Sequence, residues 1–307
     1  MDAGHFLVDQ GHLRPHDQSV KQLPFIKCHG LGNDFVLVDV IDQPTLAALA
    51  WNTIGPRLCD RRRGIGADGV LVLTRSPEAD CAMRIVNADG SDAQMCGNGI
   101  RCVARHLAER RGFSGQRARI ATGRGVLGVS WTGEGEGFAA SVGMGVPELE
   151  TTKIPVRVTG SRALGIDAPL PTALRTSGGV EGVMTCISMG NPHTVLFCSN
   201  AAEADLEFIG HALQSNPIFP QSVNVHLVQV IEPRLAIMRS YERGAGATPA
   251  CGTGACAALV AGVLSQRLER KARLRLPGGD LDIAWDDTGV TMTGPATLSF
   301  TGEISLD

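Results

Sequence analysis

Hydrophobic positions along this chain come in short bursts. Apolar or alternating runs predict strands at Phe35–Val40, Gly69–Leu73, Met83–Val86, Gly125–Val129, Val183–Ser188, Thr194–Phe197, Val223–Val230, Leu235–Ser240 and Val290–Thr293. Helical spacing is rarer: Thr45–Leu58, Ile100–Arg111 with Gly112 as its stop, and Gly254–Leu268. Many strands with few helices predict an α+β protein rather than an alternating βαβ one.

The runs are separated by 38 glycines and 16 prolines, and two of the glycine-rich breaks match each other. Residues 95–102 read MCGNGIRC and residues 250–256 read ACGTGAC, sharing Cys-Gly-x-Gly-x-x-Cys about half a chain apart. A repeat at half-length predicts two similar lobes related by a pseudo-two-fold axis. The length of 307 residues fits two cores. The expected division is 23–143 for the first lobe, with 294–307 returning to it, and 144–293 for the second. Residues 1–22 carry His5, His12 and His16 among aspartates and read as a disordered tail rather than a metal tract.

Composition narrows the function. A net charge of −3 and 4% aromatic residues argue against nucleic acid as a partner. The densest apolar stretch, Ala255–Leu264, is too short to span a bilayer, so no membrane role is expected. Nine cysteines at irregular spacing, with no CxxC, read as reduced thiols of a cytoplasmic protein. Cys28, Cys59, Cys81, Cys102, Cys186, Cys198 and Cys256 fit buried packing positions.

Cys96 and Cys251 stand apart because each opens a helix. Unpaired N–H groups and partial positive charge at a helix start are expected to lower a thiol pKa there. The adjoining glycines let a carboxylate approach the same N–H groups. Two such loops face to face would hold one amino-acid carboxylate and present a sulfur to each side of its α-carbon. That is the requirement for moving one α-proton between two faces, with one thiol as base and the other as acid. The four lysines, Lys21, Lys27, Lys153 and Lys271, lie outside any glycine-rich phosphate-binding context, so pyridoxal phosphate is not expected.

Six ordered segments make the chain resemble the diaminopimelate epimerase family: KCHGLGNDFVLVD (27–39), DRRRGIGADG (60–69), NADGSDAQMCGNGIRC (87–102), MGNPHTV (189–195), FPQSVNV (219–225) and ERGAGATPACGTGACA (242–257). The similarity runs from about Phe25 to the TGPATLSFTGEI segment at 293–304. It implies catalytic cysteines at Cys96 and Cys251. It places backbone donors to the reacting carboxylate at Gly97, Asn98, Gly252 and Thr253, and substrate-reading asparagines at Asn33, Asn87, Asn191 and Asn224. Glu242 and Arg243 would serve the far end of the substrate, and His193 would support the thiols. The implied fold is two lobes, each a sheet wrapped around a central helix, with the site in the cleft. The implied enzyme needs no cofactor and no metal, acts on LL- and meso-diaminopimelate, and is compatible with a homodimer. Some members carry glutamine where this chain has Gly69, and others a GET turn where it has Gly246-Ala247-Thr248.

Blander readings compete. Asn33 and Asn87 lie in turn sequences. His29, His106, His211 and His226 read as surface or satisfied core residues, and Arg61–Arg63 as a solvated turn. A proline or hydroxyproline racemase of the same fold is the nearest rival function, although those relatives typically carry histidine where this chain has Asn98. A redox or metal protein would need Cys96, Cys102, Cys251 and Cys256 to converge.

Overall fold

Two helices lie at the centre of this protein because their sequences leave them little polar surface. The computed structural model describes residues 22–171 and 177–306; the expected tail with His5, His12 and His16 lies outside the described residues. Helices are α1 (Pro44–Ala47), α2 (Trp51–Cys59), α3 (Gly97–Arg110), α4 (Leu206–Gln214) and α5 (Gly252–Leu264). Along α5 the run from Gly254 to Gly262 is buried without interruption. A helix apolar on every side must be enclosed on every side. α3 keeps Arg105, Glu109 and Arg110 as a polar edge near its end and, apart from half-buried Ala108, buries the rest of its length.

The strands that enclose them form two matching ribbons. The first contains β1 (Gln22–Gly30), β2 (Asn33–Asp39), β3 (Gly69–Thr74), β4 (Cys81–Asn87), β5 (Asp92–Ala93), β6 (Arg117–Thr122), β7 (Gly125–Thr132) and β8 (Ala139–Gly145). The second runs through β9 (Ile166–Asp167), β10 (Val180–Ser188), β11 (Pro192–Cys198), β12 (Asn224–Glu232), β13 (Leu235–Glu242), β14 (Gly246–Thr248), β15 (Lys271–Leu276), β16 (Gly279–Asp286) and β17 (Gly289–Gly294). The last strand, β18 (Thr297–Ser305), pairs antiparallel with β1.

The pairing sequence repeats step for step. β1–β2 is antiparallel, β2–β3 parallel, β3–β4 antiparallel, β4–β6 parallel, and β6–β7 and β7–β8 antiparallel. β10–β11, β11–β12, β12–β13, β13–β15, β15–β16 and β16–β17 follow in the same order of senses. The two ribbons join where β8 meets β17, like end to like end. α3 enters between β5 and β6, and α5 enters at the equivalent place between β14 and β15. α3 packs against β1, β2, β7, β8 and β18, α5 against β10–β13 and β15–β17, and the two helices touch each other. The predicted architecture, two like lobes each wrapped around a central helix, is therefore the observed one.

One core includes residues of both central helices, from Ile100 and Leu107 to Leu259 and Val260. Separate apolar layers lie under α2 and under α4 on the outer faces.

Three sequence readings need correction. The predicted helix 45–58 is broken between Ala47 and Trp51. Leu46 and Trp51 sit in the same apolar layer; on one continuous helix they would point about 140° apart, so the break lets both enter it. The helix predicted to reach Leu268 stops at Leu264, where Gln266 takes a positive φ of 58° and Leu268 folds back onto Gly262. The sequence pattern predicts neither α4 nor β1, β5, β6, β8, β9, β14, β15, β16 and β18. Lys271–Leu276 alternates exposed and buried without a fault, a pattern masked by its charged outer face.

Candidate active site

The structure brings the two Cys-Gly-x-Gly loops together. Cys96 and Cys251 are the N-cap residues of α3 and α5, both in extended backbone conformation. The first glycine of each loop faces the same side chain. A Cβ on Gly97 would lie 2.6 Å from Met292 Cε, and one on Gly252 would lie 3.0 Å from Met292 Sδ and 3.7 Å from Asn98 Oδ1. The helix starts thus converge closely enough that neither glycine has room for a methyl group without moving Met292. Asn98 spans the joint: its Nδ2 donates to Asn33 Oδ1 at 3.1 Å and to Ala250 O, in the other loop, at 3.4 Å.

The intrahelical ladders begin with Ile100 N–H to Cys96 O at 3.0 Å and Ala255 N–H to Cys251 O at 2.9 Å. The N–H groups of Gly97, Asn98, Gly252 and Thr253 precede these bonds, so the helices themselves do not use them. Two sets of helix-start N–H groups in one place make an anion site.

The thiols are not acidified. Burial pushes Cys96 up to about 11, against the lowering pull of the Gly99 and Asn98 N–H groups and the Arg101 charge. Cys251 is raised further above 9.0 by burial and by the Glu242 carboxylate, which accepts its S–H, while Gly254 N–H and Thr253 pull the other way. The expected helix-start acidification is present, but removing a thiolate from water outweighs it here. Gly99 N–H reaches Cys96 Sγ at 3.5 Å, and Cys96 S–H lies 3.6 Å from Asn33 Oδ1. Thr253 Oγ1 is 3.7 Å from Cys251 Sγ.

A polar line runs from the second loop into its lobe. Asn191 Nδ2 donates to Thr253 Oγ1 at 3.5 Å, and Asn191 Oδ1 is 2.9 Å from His193 Nε2. His193 Nδ1 is 2.9 Å from His226 Nε2, and His226 Nδ1 is 2.9 Å from Ser240 Oγ. Burial drives the pKa of both histidines down, His226 to about 3, so the pair is neutral. His226, read from sequence as a surface or satisfied core residue, is a satisfied core residue that also fixes His193. His193, His226 and Cys251 are the described side chains with converging metal-capable atoms, all within 4.8 Å of one another. The four-thiol cluster required by the redox or metal reading does not form among the described residues; Cys102 and Cys256 are buried in the core.

The remaining candidates fall around the same cleft. Asn224 Nδ2 donates to Pro192 O at 2.9 Å, and its Oδ1 accepts from Arg243 N–H at 2.9 Å. Arg243 is exposed, with Nη1 on Gln221 O at 2.9 Å. Glu242 Oε1 accepts from Thr248 Oγ1 at 2.5 Å. Asn33 Nδ2 donates to Asp68 Oδ2 at 2.7 Å, and Asp68 is held by Arg61 Nη2 at 2.8 Å. Arg61 is therefore paired rather than merely solvated. Asn87 is the outlier, its Nδ2 donating to Ser91 Oγ within its own turn at 2.9 Å. At Gly69 a Cβ would lie 2.9 Å from Val86 O, so this backbone has no place for a side chain such as glutamine. A hollow of about 590 Å³ beside Phe113, Trp131 and Phe138 is lined by none of the candidates.

Sequence reasoning missed Arg101, Met292, Asp68 and Ser240. Arg101 and Asp68 lie inside the quoted motifs, whereas nothing in the local sequence marks Met292 or Ser240.

The sequence model described as diaminopimelate epimerase matches residues 25–150 and 185–299. Diaminopimelate epimerases of Trichodesmium erythraeum and Moorella thermoacetica are each 44% identical, over 284 and 286 residues, covering 92% of this chain and 99% of each relative. Among solved structures, a hydroxyproline epimerase from Agrobacterium vitis superposes with a TM-score of 0.63 at 16% identity, covering 94% of this chain and 92% of that one. A PhzF-family phenazine biosynthesis protein from Bacillus anthracis gives 0.64 at 15% identity, over 92% of this chain and 99% of that one. The two solved structures share the fold, and the family model spans most of the chain while relatives are 44% identical over 92% of it: this chain belongs to the diaminopimelate epimerase family.

Proposed function

We propose that this protein interconverts LL- and meso-diaminopimelate, a step of lysine biosynthesis, by moving the α-proton between Cys96 and Cys251. The observation that carries the reading is the convergence of two cysteine-capped helix starts on one point, with Asn98 tying one loop to the other. The α-carboxylate takes the N–H groups of Gly97, Asn98, Gly252 and Thr253. One sulfur, as thiolate, removes the α-proton. The developing negative charge spreads into the carboxylate, where the two helix starts stabilise it. The opposite S–H then delivers its proton to the other face, and the two sulfurs have exchanged roles.

Cys96 is the thiol that ionises first, because the Gly99 and Asn98 N–H groups and the Arg101 charge offset part of its burial. Cys251 holds its proton against the Glu242 carboxylate. Asn224 and Arg243 read the distal end of the substrate. Asn33, Asn191 and Glu242, which touch Cys96, Thr253 and Cys251, line the reacting end. His193 supports the second loop through Asn191, and Asn87, bonded to Ser91 in its own turn, makes no substrate contact. Proton transfer between two thiols balances without metal or organic cofactor.

Cys96→Ala and Cys251→Ala each abolish epimerisation while the protein stays folded; full activity in either removes the two-thiol assignment. Solvent deuterium should enter LL- and meso-diaminopimelate at the α-carbon in the parent. Equal turnover of proline would favour the racemase reading instead.

The cytoplasm is the proposed location, supported by nine free cysteines. Among the described residues no helix is long and apolar enough to cross a membrane. A homodimer is the proposed assembly, supported by the exposed Phe300 on β18, packed edge-on against Phe25. Light scattering that returned a monomer mass would remove it.

A further inference from the structure

Arg101 is a cation without an anion. Its side chain is fully buried, at 0% exposure. Nη2 donates to Asn98 Oδ1 at 2.9 Å, Nη1 to Gly97 O at 3.1 Å and Nε to Pro295 O at 3.0 Å, with Met292 Sδ 3.7 Å from Nη1. Among the described residues no carboxylate accepts from it. The charged neighbours it does have are potential ones, the thiols of Cys96, Cys102 and Cys256.

Stability gives a poor reason for such a group. An arginine stays protonated in a protein, and burying its charge costs more than neutral hydrogen bonds return. The fold nevertheless makes room for it. Gly30 ends β1 with no positive φ, yet a Cβ there would lie 2.9 Å from Arg101 Nη2 and 3.1 Å from Asn98 Cβ. That glycine is explained by the guanidinium rather than by a turn.

The bonds of the guanidinium settle a second question. With Asn98 Oδ1 occupied by Arg101, the amide must turn Nδ2 toward Asn33 Oδ1 and Ala250 O, which joins the two loops. Through Met292 the same group touches the residue on which Gly97 and Gly252 converge.

We propose that Arg101 is a positioning residue of this site: its fork fixes Asn98 at the joint of the two loops, and its unneutralised charge favours a thiolate at Cys96 and a carboxylate at the helix starts. The substrate carboxylate and the Cys96 thiolate are the anions this charge would serve. The proposal deepens the two-thiol reading and rests on it.

The test uses the full reduced chain with Arg101→Met, which removes the charge at similar length, and Arg101→Lys, which keeps the charge but not the fork. Alkylation of Cys96 by iodoacetamide at pH 8.5, read by mass spectrometry of its peptide without substrate, follows the thiolate fraction. Methionine should slow it at least about fivefold, whereas lysine stays within about twofold of the parent. Epimerisation kcat should fall by about 10–100-fold in Arg101→Met and about tenfold in Arg101→Lys; KM should rise in Arg101→Met, which loses the charge that favours the carboxylate, and stay within about threefold in Arg101→Lys, which keeps it.

Parent-like alkylation in Arg101→Met, equal slowing in both variants, or a kcat within threefold of the parent would each overturn the proposal. If Arg101→Met does not fold, Arg101→Lys decides: a lowered kcat with parent-like alkylation supports it, and a parent-like kcat overturns it. If the parent itself fails to epimerise diaminopimelate, the functional reading fails, while alkylation, which needs no substrate, still decides the role of the charge.

Discussion

A single methyl group added at Gly254 should separate the two loops by their surroundings. Gly254 and Gly99 hold the same motif position, three residues after the cysteine and in the first turn of a helix. Glycine to alanine inside a helix gains up to about 1 kcal/mol from backbone entropy. At Gly99 the new Cβ would sit 3.0 Å from Leu71 Cδ2, the tip of a flexible side chain that can retreat. At Gly254 it would sit 2.2 Å from His226 Cε1 and 2.7 Å from Nε2. That ring is fully buried and bonded on both sides, to His193 and to Ser240. Overpacking costs about 1–3 kcal/mol, and a broken bond to a buried imidazole adds about 1–3 kcal/mol. Against the helix gain, Gly254→Ala should lose about 2–4 kcal/mol net, a fall in Tm of roughly 3–6 °C, while Gly99→Ala stays within about 1 kcal/mol of the parent. Displacing His226 also moves His193, Asn191 and Thr253, so kcat should drop about 100-fold in Gly254→Ala. Thermal and urea unfolding of both variants, with epimerase assays, measure this. Equal stability of the two, or Gly254→Ala within 1 kcal/mol of the parent, would refute the argument that His226 cannot yield.

Other outcomes follow from the same geometry. Without substrate, Cys96 should alkylate with a pH midpoint above the ordinary thiol value of 9.0, near 11, and Cys251 higher still; below those values both are protonated, so the rate climbs with pH, and a midpoint near 7 would mean that the helix starts prevail over burial. Asp39, whose carboxyl is lowered by His106 and Arg111 despite its burial, adds stability above its unfolded pKa of about 3.9 that is lost as pH falls through the lower folded value. Asp39→Asn should therefore cost about 3 kcal/mol at pH 7 and flatten the acid side of the stability curve, and unchanged urea midpoints across that range would contradict it. Arg243→Ala should lower kcat/KM for diaminopimelate at least roughly 30-fold, with lysine a very poor substrate of the parent; a parent that turns over lysine equally well would remove the distal-carboxylate role.

Two kinds of information were carried at different levels of this protein. The Cys-Gly-x-Gly repeat was legible in the sequence because helix starts and glycine requirements are local, set within a few residues. It gave the two-lobe architecture, the paired cysteines and, with the ordered motifs, the family. Strands with apolar runs were equally plain, whereas β15, with its charged outer face, and α4 were not. Where α5 ends and why the helix predicted at 45–58 breaks depended on what Leu268 and Leu46 pack against, which lies outside any sequence window. The thiol pKa values show the same division. The local sequence promises stabilised thiolates at Cys96 and Cys251, but desolvation comes from the whole cleft closing around them and prevails. Likewise Arg101 reads as an ordinary helix residue until the other lobe's Met292 and the returning segment's Pro295 close over it. Burial and charge compensation sum over residues far apart in the chain, and therefore only the tertiary structure decided them.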